Sequence, residues 1–121
     1  MHLDLIVPGY IPNTDLAAIY NGAKAFIYAS LRESFGIPLL EGMACGTPVI
    51  TSNISAIPEV AGCEAILVNP FNEQEITNQL IKIETDENYR IQQIEYGLKR
   101  VTQFSWEQTA RKVLELYKSL S

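Results

Sequence analysis

Histidine, cysteine and basic charge are all scarce in this sequence. The one histidine, His2, falls at an end expected to fray, which leaves the body of the chain without an imidazole for acid–base or nucleophilic work. Two cysteines, Cys45 and Cys63, are too few for a disulfide framework and lack the spacing of metal ligands. They are expected as reduced thiols in a cytoplasmic protein. Nine Lys and Arg against fourteen Asp and Glu give a net charge of −5, the wrong sign for a nucleic-acid partner. No apolar run approaches the ~20 residues of a membrane span, and no signal-peptide pattern opens the chain. Internal repeats, low-complexity segments and linkers are also lacking. What remains is 121 residues, 47% of them apolar, which fits one globular domain with a core of its own.

Short apolar runs alternate with helical patterns. Leu3–Val7 reads as a buried strand leaving through Pro8-Gly9, followed by the loop Tyr10-Ile11-Pro12. Asn13 and Thr14 are candidate caps for a helix whose apolar face is Leu16, Ile19, Tyr20 and Ala23. Strands are expected at Ala25–Ala29, Pro48–Thr51 and Ala65–Val68, with one helical turn near Ile57–Gly62. Three helices follow. Asn72 with Glu75 resembles a capping box ahead of Ile76, Leu80 and Ile83. Ile91, Ile94, Leu98 and Val101 mark a helix starting near Asp86, and Ser105 with Gln108 caps one carrying Trp106, Ala110, Val113, Leu114 and Tyr117 on one face. The fold class is α/β, a Rossmann-like parallel sheet of about four strands flanked by helices.

The organising stretch is Glu33-Ser34-Phe35-Gly36-Ile37-Pro38-Leu39-Leu40-Glu41-Gly42-Met43-Ala44-Cys45-Gly46. It sits between two expected strands, opens a helix with Pro38 and closes it at Gly46, which makes a parallel βαβ unit. Ligands of open α/β sheets bind where such a first strand ends. Glu41 on the helix could accept two hydrogen bonds from a ribose diol, each worth about 1.5–3 kcal/mol when charge-assisted. Ser34-Phe35-Gly36 offers backbone N–H groups at a helix start, suited to a phosphate, and Glu33 in the loop could face a sugar. Spacing alone supports equally well a solvated Glu33 and a Glu41 paired with Arg32 or a lysine, and it favours Phe35 as a core plug over a stacking residue. Gly42 in mid-helix costs roughly 1 kcal/mol against alanine, which points to a close contact with either the sheet or a ligand.

The run from Ala29 to Ile50 resembles the donor-binding signature of the retaining glycosyltransferases of family 4, also called group 1, which have the GT-B fold. That signature holds two glutamates separated by seven residues, matched by Glu33 and Glu41. The likeness extends to Gly9-Tyr10-Ile11-Pro12, Ile57-Pro58-Glu59-Val60, Leu67-Val68-Asn69-Pro70 and Phe104-Ser105-Trp106, and so to nearly the whole chain. The resemblance implies that Glu33 contacts the transferred sugar at the reacting centre. It implies that Ser34, Phe35 and Gly36 bind sugar and diphosphate through their backbone, that Leu40 lies beside the phosphates, and that Glu41 holds the ribose. Tyr10 and Ile11 fall where the family lines its base pocket. The implied donor is a UDP-, GDP- or ADP-sugar, and the implied transfer retains anomeric configuration without a cofactor or metal. The absence of an Asp-x-Asp motif agrees with the last point.

The sequence departs from the family at Gly42, where alanine is usual. It also shows no segment matching the first two strands of the donor domain, nor the Arg and Lys that neutralise the diphosphate. The acceptor-binding domain is absent too, so residues 1–121 are expected as the donor-binding half of a longer enzyme, inactive alone. The whole enzyme would work in the cytoplasm, in some relatives at the inner face of a membrane. Two alternatives stay open: a non-catalytic Rossmann-like docking module, and a GT-B relative such as a nucleotide-sugar epimerase. The apolar face of the last helix either packs on the sheet or docks on the other domain.

Overall fold

The computed structural model describes residues 5–120, apart from the Trp106 side chain. Nine elements follow one another: α1 (Asn13–Gly22), β1 (Phe26–Tyr28), α2 (Ile37–Ala44), β2 (Val49–Ser52), α3 (Ile57–Ala61), β3 (Ile66–Val68), α4 (Glu73–Thr85), α5 (Glu87–Val101) and α6 (Trp106–Leu120). The strands form one parallel sheet in the order β1-β2-β3, with Phe26 opposite Val49 and Ile50 opposite Ile66. All four residues of β2 are buried, as expected of a central parallel strand covered on both faces. Two of them are polar, and both are satisfied: the Thr51 hydroxyl donates to the Tyr28 carbonyl at 2.7 Å and the Ser52 hydroxyl to the Ser30 carbonyl at 2.5 Å. These bonds carry the pairing of β1 with β2 past the end of the ladder and into the next loop.

The sheet splits the core. Leu39 and Met43 of α2 join Val49, Ile57, Val60 and Ala61 on one side; Ile50, Ile66, Val68 and Ile83 of α4 fill the other. Helix α2 lies close on the sheet because Gly42 has no side chain: a Cβ there would come 2.7 Å from Phe26 Cδ2 and 3.1 Å from Val49 Cγ2. The close contact expected at Gly42 is therefore with the sheet. Gly46, at φ +72°, takes the left-handed position that stops α2. Asn72 caps α4, its Oδ1 accepting from the N–H groups of Gln74 and Glu75 at 3.0 and 3.2 Å. The Ser105 hydroxyl accepts from Gln108 N–H at 3.0 Å at the start of α6.

Several expectations need correction. Leu3, like His2, lies outside the described residues, and Leu5, Ile6 and Val7 are in no strand and are 84, 82 and 80% exposed. A strand needs a ladder partner, and among the described residues the sheet has three strands, not four, none beside this run. Helix α1 begins at Asn13, behind Pro12, without a side-chain cap from Asn13 or Thr14. On α5 the expected apolar stripe is rotated: Ile91 and Leu98 are exposed, while Tyr96 and Val101 reach the core. The reason is Gly97, which packs on Met43, and two polar tips beside it. The Tyr96 hydroxyl donates to the Ala61 carbonyl, and the Arg100 guanidinium to those of Val60 and Glu59, so α5 caps the C-terminal end of α3. Helix α6 does not pack on the sheet through Val113, Leu114 and Tyr117, which are all exposed; the Trp106 side chain in that face is outside the description.

Candidate functional site

Three loops leave the C-terminal ends of the strands, and the first two are stapled together. In the loop between β1 and α2, Glu33 N–H donates to Ser55 Oγ at 3.0 Å, and the Ser55 hydroxyl donates back to the Glu33 carbonyl at 2.7 Å. Ser55 reaches this position at φ 61°, a left-handed conformation uncommon for a residue with a side chain. The Ala56 N–H adds a longer bond to the same carbonyl at 3.4 Å. The main chain of Glu33 is thus held by the loop that leaves the neighbouring strand, β2.

Its carboxylate is held separately. The Tyr28 hydroxyl, at the end of β1, donates to Glu33 Oε1, and Ser30 Oγ lies 3.4 Å from the same oxygen. Burial, followed by the bond to Glu33 and its charge, pushes the Tyr28 phenol up to about 12. Glu41 has a similar, looser neighbour: the Tyr20 hydroxyl donates to its Oε2 at 3.4 Å, and burial followed by the Glu41 charge raises the Tyr20 pKa. Tyr20 and Tyr28 flank Phe26, with ring centroids 4.9 and 5.9 Å apart, so one aromatic row connects the partners of the two glutamates. Among the described residues neither glutamate is in an ion pair, and the pairing of Glu41 with Arg32 does not form.

Between the glutamates the chain turns sharply. Gly36 caps α2 at φ +94°, and a Cβ there would come 3.0 Å from Ile57 Cδ1. Only glycine meets both demands without strain. Among the described residues, no acceptor takes the N–H of Ser34, Phe35 or Gly36. These amides, with the positive end of α2, form a surface suited to an anion. Phe35 is not a core plug: it is 42% exposed and meets Phe104 edge-to-face at 5.8 Å. Leu40 is half-buried against the core. Glu41 is exposed and lines a groove of about 260 Å³ between α1 and α2, with Asn13, Leu16, Tyr20 and Cys45. Tyr10 is 89% exposed and Ile11 half-buried in the loop before α1, with no side-chain hydrogen bond to the other candidate residues.

The structure therefore gathers Glu33, Ser34, Phe35 and Gly36 in one loop, places Leu40 and Glu41 on the helix behind it, and has Tyr10 and Ile11 in the separate loop before α1. Tyr28 and Ser55 escape the sequence reading. Tyr28 looks like an ordinary strand former and Ser55 like part of a polar turn; only a hydrophobic strand ending in a residue with a hydroxyl hinted at the first.

A parallel α/β sheet flanked by helices is the architecture of a Rossmann-like domain, and the two carboxylates and the glycine-bent helix start follow the C-terminal end of its first strand. Residues 3–100 match the family described as Glycosyl transferases group 1, and the chain belongs to that family. It is 37% identical over 112 residues to the O-antigen chain mannosyltransferase B of Escherichia coli, covering 93% of this chain and 29% of that protein. It is 40% identical over 111 residues to the serotype-specific mannosyltransferase WbdA of Escherichia coli, covering 92% and 14%. It superposes on the sucrose-phosphate synthase of Thermosynechococcus elongatus with a TM-score of 0.80 and 32% identity, over 93% of this chain and 29% of that one. The fold is the Rossmann-like sheet of a GT-B protein, and the chain spans less than a third of the length of these relatives.

Proposed function

We propose that this chain is the donor-binding half of a retaining glycosyltransferase, which moves a hexosyl unit from a nucleoside-diphosphate sugar to an acceptor. The observation that carries the reading is the loop from Glu33 to Gly36, tethered at its glutamate and opening into α2 with unpaired amides, ahead of an exposed Glu41. In this reading the ribose diol meets Glu41 and the diphosphate meets the Ser34, Phe35 and Gly36 amides at the positive end of α2. Leu40 lies beside the phosphates through its backbone, since its side chain packs on the core. Tyr10 and Ile11 flank the base. Glu33 touches the transferred sugar and steadies positive charge as the glycosidic bond loosens, a role for a preorganised carboxylate rather than a nucleophile. No metal or cofactor has a part in this reading. The names of the Escherichia coli relatives favour mannose as the sugar.

The acceptor site and the cations that neutralise the diphosphate would come from the rest of a longer, cytoplasmic enzyme, working for some acceptors at the membrane face. Among the described residues no helix is long and apolar enough to cross a membrane. The isolated chain is then expected to transfer little or no sugar, and turnover by it alone would overturn that part. The test of binding is an amide-resolved NMR titration with UDP, GDP and ADP, with Glu41→Ala as control. One nucleotide should move the amides of residues 33–41 in the parent and not in the variant. A well-dispersed spectrum that none of them moves would leave a docking module as the better account.

A further inference from the structure

We infer that Tyr28 is a positioning residue for the donor sugar: from its fixed place at the end of β1 its hydroxyl holds Glu33 Oε1 and leaves Oε2 to meet the sugar. The inference rests on the donor-binding reading of Glu33 and adds to it a residue that sets the glutamate's aim. Tyr28 is built into the fold. Its ring belongs to the partly buried layer around Leu39 and Met43, lies beside Phe26, and its Cε1 is 3.7 Å from where a Gly36 Cβ would stand. The Gly36 backbone thus lies against the ring. Glu33, in contrast, belongs to a loop, and a free glutamate side chain loses considerable rotamer freedom when it is fixed. Ser55 fixes the main chain of Glu33 and Tyr28 fixes one carboxylate oxygen, so most of that freedom is already gone before a sugar arrives.

The chemistry of the partner matters as much as its place. An arginine or lysine on Glu33 would neutralise it, whereas a phenol donates one hydrogen bond and leaves the carboxylate its negative charge. The groups facing the Tyr28 hydroxyl are Glu33, Ser30 and Tyr20, and its raised ionisation keeps it a donor throughout the neutral range. With Oε1 occupied, Glu33 recognises the sugar through one oxygen. Tyr28 therefore acts on the sugar and not on the nucleotide, and this difference separates positioning from plain support of the fold.

The test uses the 121-residue chain, Tyr28→Phe, which keeps the packed ring, and Glu33→Gln. At neutral pH, the carboxyl carbon resonance of Glu33, assigned by its loss in Glu33→Gln, should move in Tyr28→Phe while that of Glu41 stays. Calorimetric titration with UDP, GDP and ADP and with their hexose conjugates should show the conjugate weakened about fivefold or more by Tyr28→Phe, with the parent nucleotide unchanged. In a Glu33→Ala background, which removes the acceptor, the same change should cost nothing further, since it acts through Glu33. Equal weakening of nucleotide and conjugate would make Tyr28 a structural residue only, and no weakening, or an unmoved Glu33 resonance, would also overturn the inference. A parent chain that binds neither class of ligand sinks the donor reading and this role with it. In that case the resonance shift still shows whether the Tyr28–Glu33 bond exists, so the two failures can be told apart.

Discussion

Replacing Gly42 by alanine sets two known quantities against each other. In an exposed helix interior the change gains roughly 1 kcal/mol, because glycine has more freedom to lose on folding. Here the new Cβ would lie 2.7 Å from Phe26 Cδ2 and 3.1 Å from Val49 Cγ2. The second contact asks for a few tenths of an ångström from the central strand. The first asks for more, from a ring that is itself lodged between Tyr20 and Tyr28. Overpacking of this sort typically costs about 1–3 kcal/mol, so the net effect is a loss of about 1 kcal/mol. For a domain of this size that is a fall in Tm of roughly 4 °C. The assay is thermal and urea unfolding of four chains: parent, Gly42→Ala, Phe26→Leu and the double variant. In the Phe26→Leu background the ring is gone, and Gly42→Ala should turn neutral or stabilising, a coupling of at least about 1 kcal/mol. Stabilisation by Gly42→Ala in the parent would refute the reasoning, since it would mean that the aromatic row gives way freely.

Three further outcomes are expected. Asn72→Ala removes the acceptor for two N–H groups of α4 and should cost about 1 kcal/mol in urea unfolding, with Asn72→Asp recovering most of it. Ser55→Ala loses both bonds to Glu33 but keeps the strained φ of 61°, and should cost about 1–2 kcal/mol, while Ser55→Gly relaxes the backbone and should cost less; the same urea curves decide, with equal losses pointing away from strain. The Tyr28 phenol, raised from its ordinary value of 10 to about 12 chiefly by burial, makes a contribution to stability that is complete below pH 10 and is lost as pH rises toward 12. Unfolding curves from pH 9 to 12 should therefore decline more gently for Tyr28→Phe than for the parent, and parallel declines would show that the phenol is not shifted.

Much of the sheet was legible because its signals are local. Phe26–Tyr28, Val49–Ser52 and Ile66–Val68 lie within a residue of the strands read from their apolar runs, and Gly46 and Asn72 end and begin helices where their chemistry says they should. The errors are of another kind. A stripe of Ile91, Ile94, Leu98 and Val101 fits helical periodicity, but periodicity counts apolar residues and does not see that Gly97 allows the closest approach to Met43. Once Gly97 sets the angle of α5, Tyr96 and Arg100 turn inward to cap α3 and Leu98 turns outward. The run Leu5–Val7 fails for a different reason: a parallel strand is defined by its neighbour, and the sequence of the run itself says nothing about whether one is there.

The same division between local and distant signals runs through the candidate site. Glu33, Gly36 and Glu41 stand out because they lie in one stretch with a glycine turn and a helix start, features that the chain writes down consecutively. Tyr28 and Ser55 come from different loops or strands, 5 and 22 residues from Glu33, and what joins them is the register of β1 with β2. That register places the ends of both strands side by side, where the Thr51 and Ser52 hydroxyls donate to the carbonyls of Tyr28, at the end of β1, and Ser30, just beyond it. A slip of one residue would turn these hydroxyls to the other face and separate Ser55 from Glu33. The aim of the glutamate is thus a property of the sheet rather than of the signature. It follows that substitutions at Thr51 and Ser52, both buried at the end of β2, should disturb the Glu33 loop as readily as substitutions inside it.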